Sequence, residues 1–389
     1  MVDRLLSPHL HGLGTSIFAE MSALAVTTGS INLGQGFPDT DGPGEIAEAA
    51  VRAIREGRGN QYPPGLGVPE LRRAIAAHQL DRYDIELDPD AQVLVTAGAS
   101  EALAAAILAL IDTGDEVIAL EPYFDCYAAA ITMARGVRVP VTLRAPDFAL
   151  DIDALRRAVT PRTRAILLNT PHNPTGAVLS RLELEAVAQV AVEHDLLVIS
   201  DEVYEHLTFD RAEHIPICTL PGMADRTVTI SSAGKTFSFT GWKVGWATGS
   251  PALVAAVRTT KQFLTYVSAG PFQYAVAEGL ALPPSYFEGL RDELSARRDQ
   301  LCDGLARLGF DVFVPRGTYF ATTDVRGLGW DDGMAFCRAL PERCGVVAIP
   351  HQVFYDNVDI GRPLVRWAFC KRENVIAEAL DRLSGGVYR

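Results

Sequence analysis

A lysine flanked by hydroxyls stands where an apolar run ends, in Ser231-Ser232-Ala233-Gly234-Lys235-Thr236-Phe237-Ser238, and Lys243 follows eight residues later. The β-branched run Thr227–Ile230 leads into it and reads as a strand. Open α/β sheets bind ligands just outside the carboxyl ends of their strands. A lysine there, with the Ser232 hydroxyl three residues before it and a second cation after it, suits an amine that forms an imine with an aldehyde while its neighbours hold a phosphate. Gly234-Lys235-Thr236 also imitates the end of a nucleotide phosphate loop, but that loop needs glycine at position 229, which is Thr229. A free lysine titrates near about 10.4. Neighbouring cations and imine formation would make Lys235 usable as a base.

Four more segments carry groups that would complete such a site. Ser200-Asp201-Glu202-Val203-Tyr204 places a carboxylate at a strand end. There it can hold a pyridinium N–H, keep that nitrogen protonated and make the ring an electron sink. Tyr204 could reach a phenolic oxygen; Asp201 as a plain helix cap is the alternative. Asn169-Thr170-Pro171-His172-Asn173-Pro174 forms a rigid loop. Asn173 is either a donor to a ligand oxygen or the head of an Asx turn, and His172 reads as a loop histidine. Thr96-Ala97-Gly98-Ala99-Ser100 runs from strand through glycine into a helix, whose first amides favour an anion. Ser100 as a simple N-cap is the alternative. Arg366, inside the apolar run Leu364–Phe369, requires an anionic partner, either a substrate carboxylate or one of the protein's own. With Lys235, the set points to pyridoxal phosphate (PLP).

These residues must be presented by a common scaffold. Strands are expected at Gln92–Thr96, Glu116–Leu120, Val137–Leu143, Ala165–Asn169, Leu196–Ser200, Thr227–Ser231 and Val244–Thr248. Several are apolar at consecutive positions, the mark of strands buried on both faces in a mostly parallel sheet covered by helices. Ser180 and Glu183 form a capping box at the start of one covering helix. The pattern changes at Pro283-Pro284. A long helix follows, expected to be capped by Ser285 with Glu288, and then strands at Phe310–Val314, Tyr319–Thr323, Val346–Ile349 and Leu364–Ala368, with helices near 331–340 and 374–384. The expected organisation is an N-terminal arm over 1–45 that packs with the C-terminal part, a large α/β domain over 46–283, and a smaller α+β domain over 284–389.

The net charge of −13 offers no basic stripe for nucleic acid. The six cysteines form no CxxC pair, so neither a zinc ribbon nor a disulfide framework is expected, and no metal is assigned. Met1–Leu13 lacks the apolar core of a signal peptide, and the apolar run Ala102–Ile111 is half a membrane span. A cytoplasmic protein without membrane contact is expected. No glycine-rich dinucleotide loop follows any strand. Gly65-Leu66-Gly67-Val68-Pro69 has proline where such a loop should become helix.

The order Gly98-Ala99-Ser100, Asn173, Asp201, Lys235, Arg366 resembles that of the class I and II aminotransferases, PLP enzymes of fold type I. The resemblance runs from Asn32 to Arg372. It implies a seven-stranded, mostly parallel sheet plus a small domain, and a ping-pong transfer of an amino group between an L-amino acid and a 2-oxo acid. It implies that Lys235 is the Schiff-base and proton-shuttling lysine. Asp201 would partner the pyridine nitrogen, Tyr204 and Asn173 the 3-oxygen, and Phe124 would stack on the ring. Ala99, Ser100, Ser232 and Lys243 would cradle the phosphate. Tyr62 would reach the phosphate of the other subunit, making a homodimer. Arg366 would clamp the substrate α-carboxylate beside Gly36, and Phe18 and Tyr266 would line the side-chain pocket, with core packing the alternative for both. Lys243 in Gly241-Trp242-Lys243 is similar to the branch holding kynurenine–oxoglutarate, glutamine and N-succinyldiaminopimelate aminotransferases, whereas Val267 departs from the histidine of kynurenine-type members. A PLP-dependent C–S β-lyase is the alternative activity, and a PLP-binding regulator or an NAD-linked oxidoreductase the more distant ones.

Overall fold

The computed structural model describes residues 5–14 and 16–388; Met1–Arg4, Thr15 and Arg389, which fall in the expected terminal segments, lie outside them. After the helix Ile17–Thr28 comes the short strand β1 (Ile31–Asn32). Seven strands follow: β2 (Val93–Ala97), β3 (Glu116–Glu121), β4 (Val137–Thr142), β5 (Thr163–Asn169), β6 (Leu197–Asp201), β7 (Thr227–Ser232) and β8 (Val244–Thr248). They form one sheet in the order β2-β8-β7-β6-β5-β3-β4, in which β8 alone runs antiparallel to both its neighbours. Every expected strand of this sheet is present within two residues of its expected ends.

The consecutive apolar runs have the physical cause inferred for them. β3 and β7 are buried along their whole lengths, and helices cover both faces. Helices Gly98–Leu110 and Pro251–Leu264 pack on one side with Leu94, Ile199 and Val228. Helix Arg181–Glu193 packs on the other with Ile118, Leu168 and Val198. Its start is held by the reciprocal bonds of a capping box, with Ser180 accepting from the Glu183 amide and Glu183 accepting from the Ser180 amide.

The C-terminal part has β9 (Asp311–Phe313), β10 (Phe320–Asp324), β11 (Val346–Val347), β12 (Ile349–Pro350) and β13 (Leu364–Ala368). An antiparallel sheet runs β12-β13-β10-β9, and β11 pairs in parallel with β1. The single strand expected at 346–349 is therefore two, one taken by the N-terminal arm and one by the C-terminal sheet. Ile17, Met21 and Leu33 share a core with Phe336, Trp367 and Phe369, so the arm is fixed to the C-terminal elements. The second expected capping box is absent. Helix Pro284–Arg307 is entered through Pro283 and Pro284, with no side-chain cap, because proline at the first position already fixes the helical φ and has no amide to satisfy. Pro69 likewise opens the helix Pro69–Tyr83 instead of blocking one. What separates that segment from a dinucleotide loop is that no strand leads into Gly65. Among the described residues no helix is long and apolar enough to cross a membrane.

Replacing Ser180 with alanine removes a helix cap that does not line the cavity at the sheet's carboxyl edge. It should lower stability by about 1 kcal/mol in urea denaturation and leave turnover unchanged.

Candidate active site

The loops after β2, β3, β5, β6 and β7 meet at the carboxyl edge of the sheet around a cavity of about 380 Å³. β13 and the N-terminal arm close it from the small sheet's side. It is lined by Ala99, Ser100, Phe124, Asn173, Asp201, Tyr204, Ser232, Lys235 and Lys243 from the large sheet, and by Phe18, Gly36 and Arg366 from the other. Twelve of the fourteen residues singled out from the sequence are thus brought together. Tyr62 and Tyr266 are not. Both are exposed, at 82% and 52%, and their rings meet edge to face 5.7 Å apart outside the cavity of their own chain.

Lys235 lies on a single helical turn, Ala233–Thr236, directly after β7. Its Nζ donates to the Gly36 carbonyl at 3.4 Å and stands 5.8 and 5.6 Å from the Tyr204 and Tyr319 rings. Burial pushes its pKa down to about 8, and the Arg366 and Lys243 cations push the same way. The Gly36 carbonyl also accepts from the Tyr319 hydroxyl at 2.6 Å. Gly36 itself is pressed against Phe320: a Cβ there would meet the ring at 2.4 Å, so only glycine permits this approach.

Asp201 ends β6. Its Oδ2 accepts from the Tyr127 hydroxyl at 2.7 Å and its Oδ1 from the Val203 amide at 3.3 Å. Burial pushes its pKa up to about 6, partly opposed by those two bonds. Asn169 stands opposite Asp201 in the β5–β6 register. It donates to the Asp201 carbonyl at 2.9 Å and accepts from the Asn173 amide at 2.7 Å, tying two of the loops together. Asn173 in turn accepts from Arg366 Nη1 at 2.8 Å, while Arg366 Nη2 donates to the Gly34 carbonyl at 2.8 Å. The guanidinium is 1% exposed, lies 3.9 Å from the Phe320 ring centre and leaves Nε without a partner. Burial lowers its pKa to about 10. Among the described residues the internal salt bridge considered for Arg366 is not formed; its hydrogen-bond partners are a side-chain amide oxygen and a backbone carbonyl.

At the other end, Gly98 takes φ 73° and begins the helix Gly98–Leu110, so Ser100 lies inside the first turn and is not the N-cap. A Cβ on Gly98 would come within 3.2 Å of Lys243 Nζ, which places that ammonium over the helix start. Helix-start amides, the Ser100 and Ser232 hydroxyls and Lys243 are the donor set of an anion cradle. Arg366, whose Nε has no hydrogen-bond partner among the described residues, puts a second cation on the cavity wall. The residues present therefore fit a phosphate-bearing cofactor and a carboxylate ligand side by side.

Tyr127 and Asn169 were missed from the sequence. Asn169 carried a usable signal, since it ends a strand paired with the one that Asp201 ends. Tyr127 follows Phe124 by three residues on the helix Asp125–Met133, a spacing that puts both at one end of that helix.

The sequence model of the family "Aminotransferase class I and II" matches residues 28–383. The chain belongs to the class I and II aminotransferases. It is 53% identical to a probable N-succinyldiaminopimelate aminotransferase of Mycobacterium tuberculosis over 96% of this chain and 97% of that protein. It is 37% identical to a kynurenine–oxoglutarate transaminase of Dictyostelium discoideum, over 97% and 95% respectively. A solved Escherichia coli structure with a methionine aminotransferase function superposes with a TM-score of 0.93 at 38% identity, covering 97% of this chain and 99% of that one. Fold type I, PLP dependence and aminotransferase activity on small amino and 2-oxo acids follow. The relatives give no support to the β-lyase, regulator or oxidoreductase alternatives.

In this aminotransferase freed of cofactor, Asp201 is protonated below about pH 6 when folded, whereas an unfolded aspartate ionises near about 3.9. The cost of the buried charge is therefore absent near about pH 3, sets in as pH rises through about 4 and is complete above about pH 7. Asp201→Asn apoprotein should exceed wild type in stability by about 3 kcal/mol at pH 8, and the difference should fall below about 1 kcal/mol by pH 4. Thermal melts across that range check it.

Proposed function

We propose that Lys235 is the amine that holds the cofactor aldehyde and moves the substrate Cα proton. The observation that carries this is the convergence of a partly buried lysine, a buried strand-end carboxylate and a buried arginine on one cavity. Bound PLP supplies an aldehyde and a ring that accepts the electron pair released at Cα. Asp201 holds the ring nitrogen's proton, Tyr204 and Asn173 bond the 3-oxygen, and Phe124 stacks on the ring. Ala99, Ser100, Ser232 and Lys243 hold the phosphate. Arg366 takes the α-carboxylate beside Gly36. Lys235 Nζ, when not bonded to the cofactor, would carry the Cα proton. The burial that lowers its pKa supplies its neutral form near neutral pH.

The enzyme acts as a cytoplasmic homodimer. Tyr62 of one protomer reaches the phosphate in the other's cavity, and Tyr266 faces the same cavity's side-chain end. Their exposure outside their own cavity and their mutual contact support this. The six cysteines, unpaired in the structure, suit a reducing compartment.

The donor is an L-amino acid with a long neutral side chain of the methionine, glutamine or kynurenine kind. The three lining cations are taken by cofactor and α-carboxylate in this reading, and the rest of the wall, which includes Phe18, Gln35, Phe37 and Phe320, carries no further cation. N-succinyldiaminopimelate is the second reading, favoured by the 53% identity with the mycobacterial protein.

Lys235→Ala should lose all measurable transamination, while Tyr62→Phe should weaken PLP binding several-fold and leave the fold intact. A donor panel with 2-oxoglutarate or pyruvate as acceptor decides the substrate. Neutral long-chain donors should outrun aspartate by at least tenfold in kcat/KM, and preference for N-succinyldiaminopimelate over all of them would establish the second reading. Ammonia and pyruvate released without an acceptor would instead indicate β-elimination.

A further inference from the structure

Behind the active-site turn lies a second cluster that transamination does not use. His78 sits near the end of helix Pro69–Tyr83, and Glu205 and His206 directly follow Tyr204. One ligand atom from each lies within 4.8 Å of the others. The two Nε2 atoms are 3.1 Å apart, and Glu205 Oε2 is 4.0 Å from His206 Nε2. Four ligands at zinc-like bond lengths stand roughly 3.3 Å from one another. The histidine pair already has about that separation, and Glu205 needs to move by roughly 1–1.5 Å to share it.

The surroundings orient all three groups. Glu205 Oε1 accepts from the Ser231 hydroxyl at 2.6 Å, Oε2 has a long 3.5 Å approach from the Gln79 amide, and the Tyr83 hydroxyl also hydrogen-bonds the carboxylate. The His78 ring is also hydrogen-bonded to the Leu280 backbone. Phe287 packs on both imidazoles, with ring centres at 5.6 and 4.5 Å, and the Arg82 guanidinium lies 4.5 Å over that ring. His78 and Glu205 are each 5% exposed. Two imidazoles and one carboxylate, with His78 and Glu205 each held by a partner beyond the ligand atom, is a donor set that borderline divalent cations prefer. Nothing in the local sequence announces it, because the ligands come from distant parts of the chain.

We propose that His78, Glu205 and His206 bind one divalent cation of zinc's class, with water as fourth ligand. The site pins helix Pro69–Tyr83 to the turn that carries Asp201 and Tyr204. It is structural, since it lies outside the cavity that holds the cofactor and substrate.

The test uses tag-free holoenzyme dialysed against chelator, then titrated with zinc chloride or cobalt chloride by calorimetry and metal analysis. The expected result is one Zn2+ per chain, visible ligand-field bands of a four-coordinate site with Co2+, and a melting temperature raised by several degrees on metal addition. His78→Gln and, separately, His206→Gln should weaken binding at least tenfold and remove the thermal shift. Both should retain wild-type transamination and circular dichroism. No stoichiometric binding by wild type, or binding of equal strength in both variants, overturns the proposal.

Discussion

Three cations, Lys235, Lys243 and Arg366, face one carboxylate, Asp201, across a single cavity. Arg366 is buried, Lys235 partly buried and Lys243 exposed, so the need for a compensating anion is greatest at Arg366 and falls toward Lys243. A phosphate at the Lys243 end brings close to two negative charges, and a substrate carboxylate at Arg366 Nε brings one. The rest of the site follows from that constraint. Its two anion-binding ends set the direction in which a cofactor and an amino acid must lie, with Lys235 between them. The same burial that makes the cations costly lowers the Lys235 and Arg366 pKa values and raises that of Asp201.

The fold supplies these groups from opposite sides. The large sheet brings Asp201 and Lys235 to adjacent strand ends, because β6 and β7 pair in parallel with Asp201 opposite Ile230. The small sheet brings Arg366, held in register opposite Thr322 and Ile349. Between them runs the Asn32–Pro38 loop, whose Gly34 and Gly36 carbonyls accept from Arg366 and from Lys235. Lys371 Nζ fastens the same loop through the Phe37 carbonyl at 2.7 Å, and Lys261 Nζ bonds the carbonyls of Gly65 and Tyr266 near the exposed tyrosines. Of the chain's four lysines, Lys235 and Lys243 line the cavity, Lys371 holds the loop that borders it, and Lys261 lies outside it.

Most of the sheet was readable because doubly buried parallel strands need unbroken apolar runs, and such runs occur at few other places. The strand-end residues were readable for a related reason, since polar groups that interrupt those runs stand out. What failed were features decided by contacts between distant segments. The run 346–349 looks like one strand, but two different partners divide it. Ser285 and Glu288 have the spacing of a cap, yet Pro283-Pro284 already provides the helix start. Tyr127 and the His78–Glu205–His206 cluster exist only once the chain is folded, since each depends on side chains brought from remote positions. Tyr266 was placed in the pocket from the resemblance, and lies outside the cavity of its own chain.

The account rests on position 235 as the covalent anchor. Borohydride reduction of the PLP-saturated enzyme, followed by peptide mass analysis, tests it directly, since the sequence offers only Lys235, Lys243, Lys261 and Lys371 as alternatives. The expected result is one pyridoxyl adduct per chain, on the peptide carrying Lys235. An adduct on another lysine, or a chain left unlabelled, would contradict it.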